Sequence, residues 1–291
     1  MLPWTDRGGR LVPLKALVFA GLFLPGLWTA AAFALGELGA RPMTEAIHEI
    51  GLWAIRFLFL SLAVTPLRQL WRWPRLVSVR RMLGVAAFFY AAIHLGLYAA
   101  DQAFNLPKVV SEIALRFYLT IGFAALLGWA ALAATSTDGM MRRLGGKRWR
   151  RLHQLVYLIG IVASVHFFLQ SKANVAEPTV MAGLGAWLLA WRVRAWTHDG
   201  EARRPAAASA LLALAAAAAT ALGEAGYYWI KMGVDPLLVL NTNLSLQAGL
   251  RPAMVVVLIL AGVTVAAALR GAQARRAAPR LQPAYSDAAA E

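Results

Sequence analysis

Eight apolar stretches dominate this sequence, each close to the ~20 residues that cross a bilayer as a helix. They cover residues 14–36, 47–66, 82–100, 114–134, 152–170, 178–196, 206–229 and 252–269. In hydrocarbon every backbone N–H and C=O has to be satisfied within the segment itself, so each stretch is expected to be helical. The predicted fold is therefore all-α, a polytopic integral membrane helical bundle. The stretch 206–229 differs in being largely alanine and in carrying Glu224. The first stretch has basic residues ahead of it and small residues late, as a signal peptide would. Its apolar part, Ala16 to Leu35, is longer than the roughly 7–15 residues usual there. It reads as a retained helix with a kink at Pro25.

The chain carries 29 Lys and Arg against 14 Asp and Glu, a net charge of +15 that by itself suggests nucleic acid. The distribution decides otherwise. Twenty-two of the basic residues fall in one alternating set of connections and termini, six in the other, and Arg56 lies inside a stretch. By the positive-inside rule both termini are cytoplasmic. The basicity is a topology signal, with anionic membrane lipids as its counter-charge. No loop is long enough for a soluble nucleic-acid-binding module. Trp71 and Trp73, Trp191 and Trp196, and Tyr227, Tyr228 and Trp229 fall at the expected interfaces. There are no cysteines, which excludes disulfides, thiolate chemistry, iron–sulfur clusters and cysteine-type zinc sites.

The stretches group into an N-terminal segment with the first helix (1–39), a core (40–196), an added hairpin (206–269) and a tail (270–291). A polar break, 197–205, precedes the hairpin. The tail, rich in Ala, Arg and Pro, is expected to be disordered. We find no convincing internal repeat, which withholds support from an inverted-repeat transporter.

Four of the five histidines, His48, His94, His153 and His166, lie in or at the edges of the stretches, and His198 lies in the polar break. Ionisable groups at membrane depth point to function, and neutral imidazole is an axial ligand of haem iron. His94 follows Arg81 by 13 residues and His166 follows Arg151 by 15, both on helices running outward. Each therefore stands about 20 Å from the cytoplasmic edge, and the pair could grip one iron. His153 lies near the cytoplasmic surface, about 20 Å along the same helix from His166, where it could bind a second, inner haem. No partner imidazole is found for it. The ordinary alternative, a histidine hydrogen-bonded to a neighbouring hydroxyl or carbonyl, weighs most at His198 and least at His94 and His166.

Arg56 suits a salt bridge to a haem propionate; the structural alternatives are a pair with Glu49, seven residues earlier, or a side chain that snorkels outward. The basic segment 141–151 could hold a flavin phosphate, although topology alone accounts for its charge. The chain has no Gly-x-Gly-x-x-Gly after a strand and no phosphate-binding Gly-Lys-Ser/Thr loop. Gly84, Gly122, Gly128, Gly183 and Gly185 read as helix-packing positions.

The stretch Arg80-Arg-Met-Leu-Gly-Val-Ala-Ala-Phe-Phe-Tyr-Ala-Ala-Ile-His94, the stretch Lys147-Arg-Trp-Arg-Arg-Leu-His-Gln-Leu-Val-Tyr157 and the following His166 resemble one family. So do Trp53-Ala-Ile-Arg-Phe-Leu and Ala-Val-Thr-Pro-Leu-Arg68. The family is the haem-binding membrane subunit of the periplasmic methionine sulfoxide reductase system, within the ferric-reductase-like transmembrane domains, and the resemblance covers about 40–200. It implies a bacterial inner-membrane protein with haem b (one or two), FMN, and ligands at His94, His153 and His166. It also implies electrons from the quinone pool or a cytoplasmic flavin reductase, passed to a periplasmic molybdopterin-dependent catalytic subunit. That partner repairs oxidised periplasmic proteins. The departure is the hairpin 206–269, because the usual member stops after six spans. The rivals are a stand-alone cytochrome b that reduces a small molecule itself, and a transporter with His94, His166 and Arg56 along a polar path.

Overall fold

The computed structural model describes residues 2–6, 8–171, 174–197, 205–247 and 249–277. Its helices are α1 (Pro13–Gly21), α2 (Leu24–Ala34), α3 (Pro42–Leu70), α4 (Val77–Asp101), α5 (Leu106–Leu115), α6 (Phe117–Ala134) and α7 (Asp138–Leu144). They continue with α8 (Gly146–His153), α9 (Leu155–Gln170), α10 (Ala176–Thr197), α11 (Pro205–Met232), α12 (Pro236–Thr242) and α13 (Pro252–Ala277). Every apolar stretch read from the sequence is helical, and the described residues contain no named strand, only one isolated bridge between Thr5 and Leu11. Among the described residues, seven spans are long and apolar enough to cross a membrane. The helix α10, with 22 residues, is not among them; it carries Glu177, Arg192 and Arg194.

Long helices ending in short turns stack as antiparallel neighbours. Four of them form a ring in which α3 packs on α4, α4 on α6, α6 on α9 and α9 back on α3. The pairs α3/α4 and α6/α9 are closely packed, and the two pairs touch each other more lightly. The buried core runs through Phe57, Leu58 and Phe59 of α3, Trp129 of α6, Ile159 of α9 and Trp187 and Trp191 of α10. Gly185 lets Phe59 approach α10, and Gly128 faces Ile159, as their reading as packing positions expected.

The kink expected at Pro25 is a full break. The chain leaves α1 at Leu22 and re-enters a helix with Pro25 in its first turn, where a missing N–H costs nothing. The hydroxyl of Tyr90 on α4 fills the gap. It donates to the Leu22 carbonyl at 2.7 Å and accepts from the Gly26 amide at 2.9 Å.

The added hairpin, α11 and α13, lies against α10 and α3. Contact is close at Gly183, where a Cβ would meet Thr220 Oγ1 and Val256 Cγ2. Trp71 donates its indole N–H to the Val263 carbonyl at 3.1 Å. The expectation of a disordered tail from residue 270 is corrected over its first part, since α13 continues to Ala277. Within this part the guanidinium of Arg270 lies over the rings of Trp73 and Trp71, 5.1 and 5.9 Å from their centroids. Residues 278–291 lie outside those described, as does His198.

Candidate functional site

The helices α4 and α9 stand across the four-helix ring from one another. Each carries one histidine near the end remote from the basic connections. His94 is seven residues before the end of α4 and His166 four before the end of α9. Their rings meet inside the bundle, with centroids 6.3 Å apart and planes at 86°. Depth alone predicted that these two would come together.

Each ring is oriented by a backbone carbonyl. His94 Nδ1 is 2.8 Å from the Ile47 oxygen, and His166 Nδ1 is 2.7 Å from the Tyr118 oxygen. A carbonyl only accepts, so in both rings Nδ1 carries the proton and donates. A neutral imidazole then has its lone pair on Nε2. This is the tautomer metal-bound histidines use, with the second nitrogen held by an outer partner.

The spacing suits one metal between the rings. Two metal–nitrogen bonds of ~2 Å and the half-widths of two imidazoles give about 6 Å between centroids. Among the described residues there is no cluster of three or more His, Cys, Asp or Glu side chains that could hold a bare metal ion. Two axial nitrogens suffice where the equatorial ligands come with the metal, as in haem. The seam between the hairpins α3/α4 and α6/α9 is lightly packed. The residues present fit the group.

His153 ends α8 and, among the described residues, faces no second imidazole. Its ring stacks on Trp149 at 3.8 Å and 24°. Its Nδ1 lies 3.1 Å from the Trp149 carbonyl, and its Nε2 lies 3.3 Å from Ser136 Oγ. The Ser136 hydroxyl is closer to the Leu132 carbonyl, at 2.7 Å. One hydroxyl proton cannot serve both acceptors, and the shorter bond claims it. Ser136 therefore makes no firm hydrogen bond to Nε2 of His153. His48 is exposed on α3.

Arg56 takes Glu177 of α10 as its partner, at 3.1 Å, and its guanidinium lies 4.9 Å from the Trp53 centroid. The pair with Glu49 considered from the sequence is not formed. Glu177 lies 121 positions away, so nothing local in the sequence announces the contact.

At the basic end, α7 and α8 turn at Gly145, whose φ of +73° favours glycine. Thr137 caps α7 by accepting from the Met140 amide. Arg142, Arg143, Lys147, Arg148, Arg150 and Arg151 are all exposed there. A cleft of about 280 Å³ opens between α3, α9 and α10, with apolar walls and Gln69, Arg80, Tyr157 and Arg192 among its lining. The two orienting carbonyls, of Ile47 and Tyr118, were missed from the sequence, because any residue type supplies a carbonyl.

Residues 50–164 match the family described as ferric reductase like transmembrane component. The chain is also similar to curated proteins named protein-methionine-sulfoxide reductase heme-binding subunit MsrQ. That of Rhodospirillum rubrum is 44% identical over 189 residues, 65% of this chain and 88% of the relative. That of Xanthomonas oryzae pv. oryzae is 42% identical over 207 residues, 69% and 94% of the two chains. That of Xanthomonas campestris pv. campestris is 44% identical over 200 residues, 68% and 90%. No solved structure matches the chain.

Proposed function

Because this chain belongs to the family of protein-methionine-sulfoxide reductase heme-binding subunits, we propose that it is the haem-binding membrane subunit of such a reductase. One observation carries the reading: two imidazoles, each with Nδ1 committed to a carbonyl, face each other at 6.3 Å inside the bundle. His94 and His166 would hold the haem iron. A bound haem supplies reversible one-electron chemistry. The protein contributes ligation, ring orientation and exclusion of water. Arg56 offers guanidinium donors to a propionate while it keeps Glu177.

In finer detail, the haem is of b type, since the chain has no cysteine for thioether attachment. His153 is the ligand of a second haem at the basic end, which the seating of its ring on Trp149 supports. The basic end faces the cytoplasm of an inner-membrane protein, by the charge rule. Electrons enter there from the quinone pool or from a flavin reductase. FMN takes its phosphate to the exposed basic residues of α7 and α8. Electrons leave at the His94/His166 end to a periplasmic molybdopterin-dependent catalytic subunit that reduces methionine sulfoxide. The chain itself carries no substrate chemistry and so is an electron-transfer subunit.

Proteoliposomes holding the purified protein test this. Reduction by added quinol, or by a flavin reductase with NADH, is expected to shift the Soret band, and the band returns only when the catalytic subunit and an oxidised-methionine protein are supplied. Return at the same rate without the subunit, with ferric chelates as acceptor, would establish the stand-alone reductase instead. A preparation with no Soret band would leave only the transporter.

A further inference from the structure

The imidazoles of His94 and His166 are seated in the same way. His94 bonds the Ile47 carbonyl and lies over Gly51, four residues further along α3. A Cβ at Gly51 would stand 2.7 Å from His94 Nδ1 and 3.0 Å from its Cε1. His166 bonds the Tyr118 carbonyl and lies over Gly122, again four residues further along α6. A Cβ there would stand 2.7 Å from both Nδ1 and Cε1 of His166. Side chains do not approach Cβ atoms so closely. In a helix the carbonyl of residue i already accepts the N–H of residue i+4. An imidazole reaches that carbonyl from the side only if residue i+4 carries nothing that blocks it. Glycine is needed at both positions for close approach, not for its backbone freedom.

The two seats belong to two matching hairpins. In α3/α4 the glycine is on the first helix and the histidine on the second, 43 residues later; in α6/α9 the separation is 44. Local sequence repeats as well: Ile50-Gly51 returns as Ile121-Gly122, and Ala91-Ala-Ile-His94 as Ala163-Ser-Val-His166. The helices α7 and α8 stand in the second hairpin where the first has the longer ends of α3 and α4.

We propose that Gly51 and Gly122 are positioning residues for the metal-binding imidazoles, and that the hairpins are one half-site used twice. Each half supplies an imidazole, a carbonyl that fixes its tautomer and a glycine that admits it. The inference rests on the reading of His94 and His166 as ligands. Its consequence is that both Nε2 lone pairs are aimed before any metal arrives, by groups on the two helices that carry no ligand.

Gly51→Ala and Gly122→Ala in the full-length protein test this, with Gly96→Ala as control, because a Cβ at Gly96 meets nothing within 4 Å. Loss of haem to excess apomyoglobin is expected to be roughly 10- to 100-fold faster in the two test variants, with part of the low-spin electron paramagnetic resonance signal converted to high spin. Gly96→Ala stays as wild type. Thermal melting separates seating from packing. The lowered midpoint of Gly51→Ala disappears when His94→Ala removes the ring, and persists with His166→Ala. If Gly51→Ala does not fold alone, its recovery in the His94→Ala background is the expected result. Unchanged haem retention and spin state in both glycine variants would overturn the proposal, and so would a melting penalty, or a failure to fold, that His94→Ala leaves unrelieved. A wild-type protein without haem at His94 and His166 would refute the ligand reading, while the melting coupling would still decide the seating.

Discussion

Glu224, 1% exposed within the added hairpin, is paired with Arg251 at 2.5 Å. Asn243 donates to its other carboxylate oxygen at 3.1 Å, so the pair ties the segment 233–251 to α11. Removing one partner of a buried ion pair strands the other charge, a loss of about 3–5 kcal/mol. Arg251→Ala is expected to lower the melting midpoint strongly, and Glu224→Gln with Arg251→Ala less than the sum of the single changes. The haem spectrum is expected to stay unchanged, since the pair lies outside the four-helix ring. Additive melting shifts would count against the coupling.

Tyr90→Phe removes the hydroxyl that bridges the break between α1 and α2. The Leu22 carbonyl and Gly26 amide then lose their shared partner, at about 1–3 kcal/mol. The expected readout is faster proteolysis near residues 22–26 with haem content retained. Cleavage at the wild-type rate would show that the two groups find other partners.

Arg56 and Glu177 are both partly exposed, 31% and 57%, so their bridge contributes no more than about 1 kcal/mol. Glu177→Gln is therefore expected to be nearly silent in melting and in haem retention. Arg56→Ala is expected to speed haem loss several-fold through the propionate contact. Equal behaviour of the two variants would reduce Arg56 to its bridge.

His153→Ala is expected to leave the signal of the His94/His166 haem in place and to lower the haem-to-chain ratio by one equivalent. An unchanged ratio would leave His153 only its contacts with Trp149 and Ser136.

The spans were legible because a membrane segment has to be apolar and of fixed length, and the pairing of His94 with His166 because depth scales with residue count along a helix. Other features depend on rotation and packing, which residue counts do not fix. Arg56 chose Glu177 over the nearer Glu49 because α10 packs against α3, a contact with no local trace. The seats at Gly51 and Gly122 needed the carbonyl register of two helices, and the sequence match between the two hairpins is limited to a few residues around each glycine and histidine. The helix α13 outruns its apolar stretch, and the contact of Arg270 in that part with Trp71, 199 positions earlier, has no local trace either.

Haem per chain measured as pyridine haemochromogen, together with the low-spin electron paramagnetic resonance signal of the intact protein, on purified wild-type, His94→Ala and His166→Ala proteins, tests the central claim most directly. The account predicts b-type haem in the wild type and loss of the same low-spin haem in either variant, since each removes one of two axial nitrogens. Full low-spin haem in both variants would contradict it.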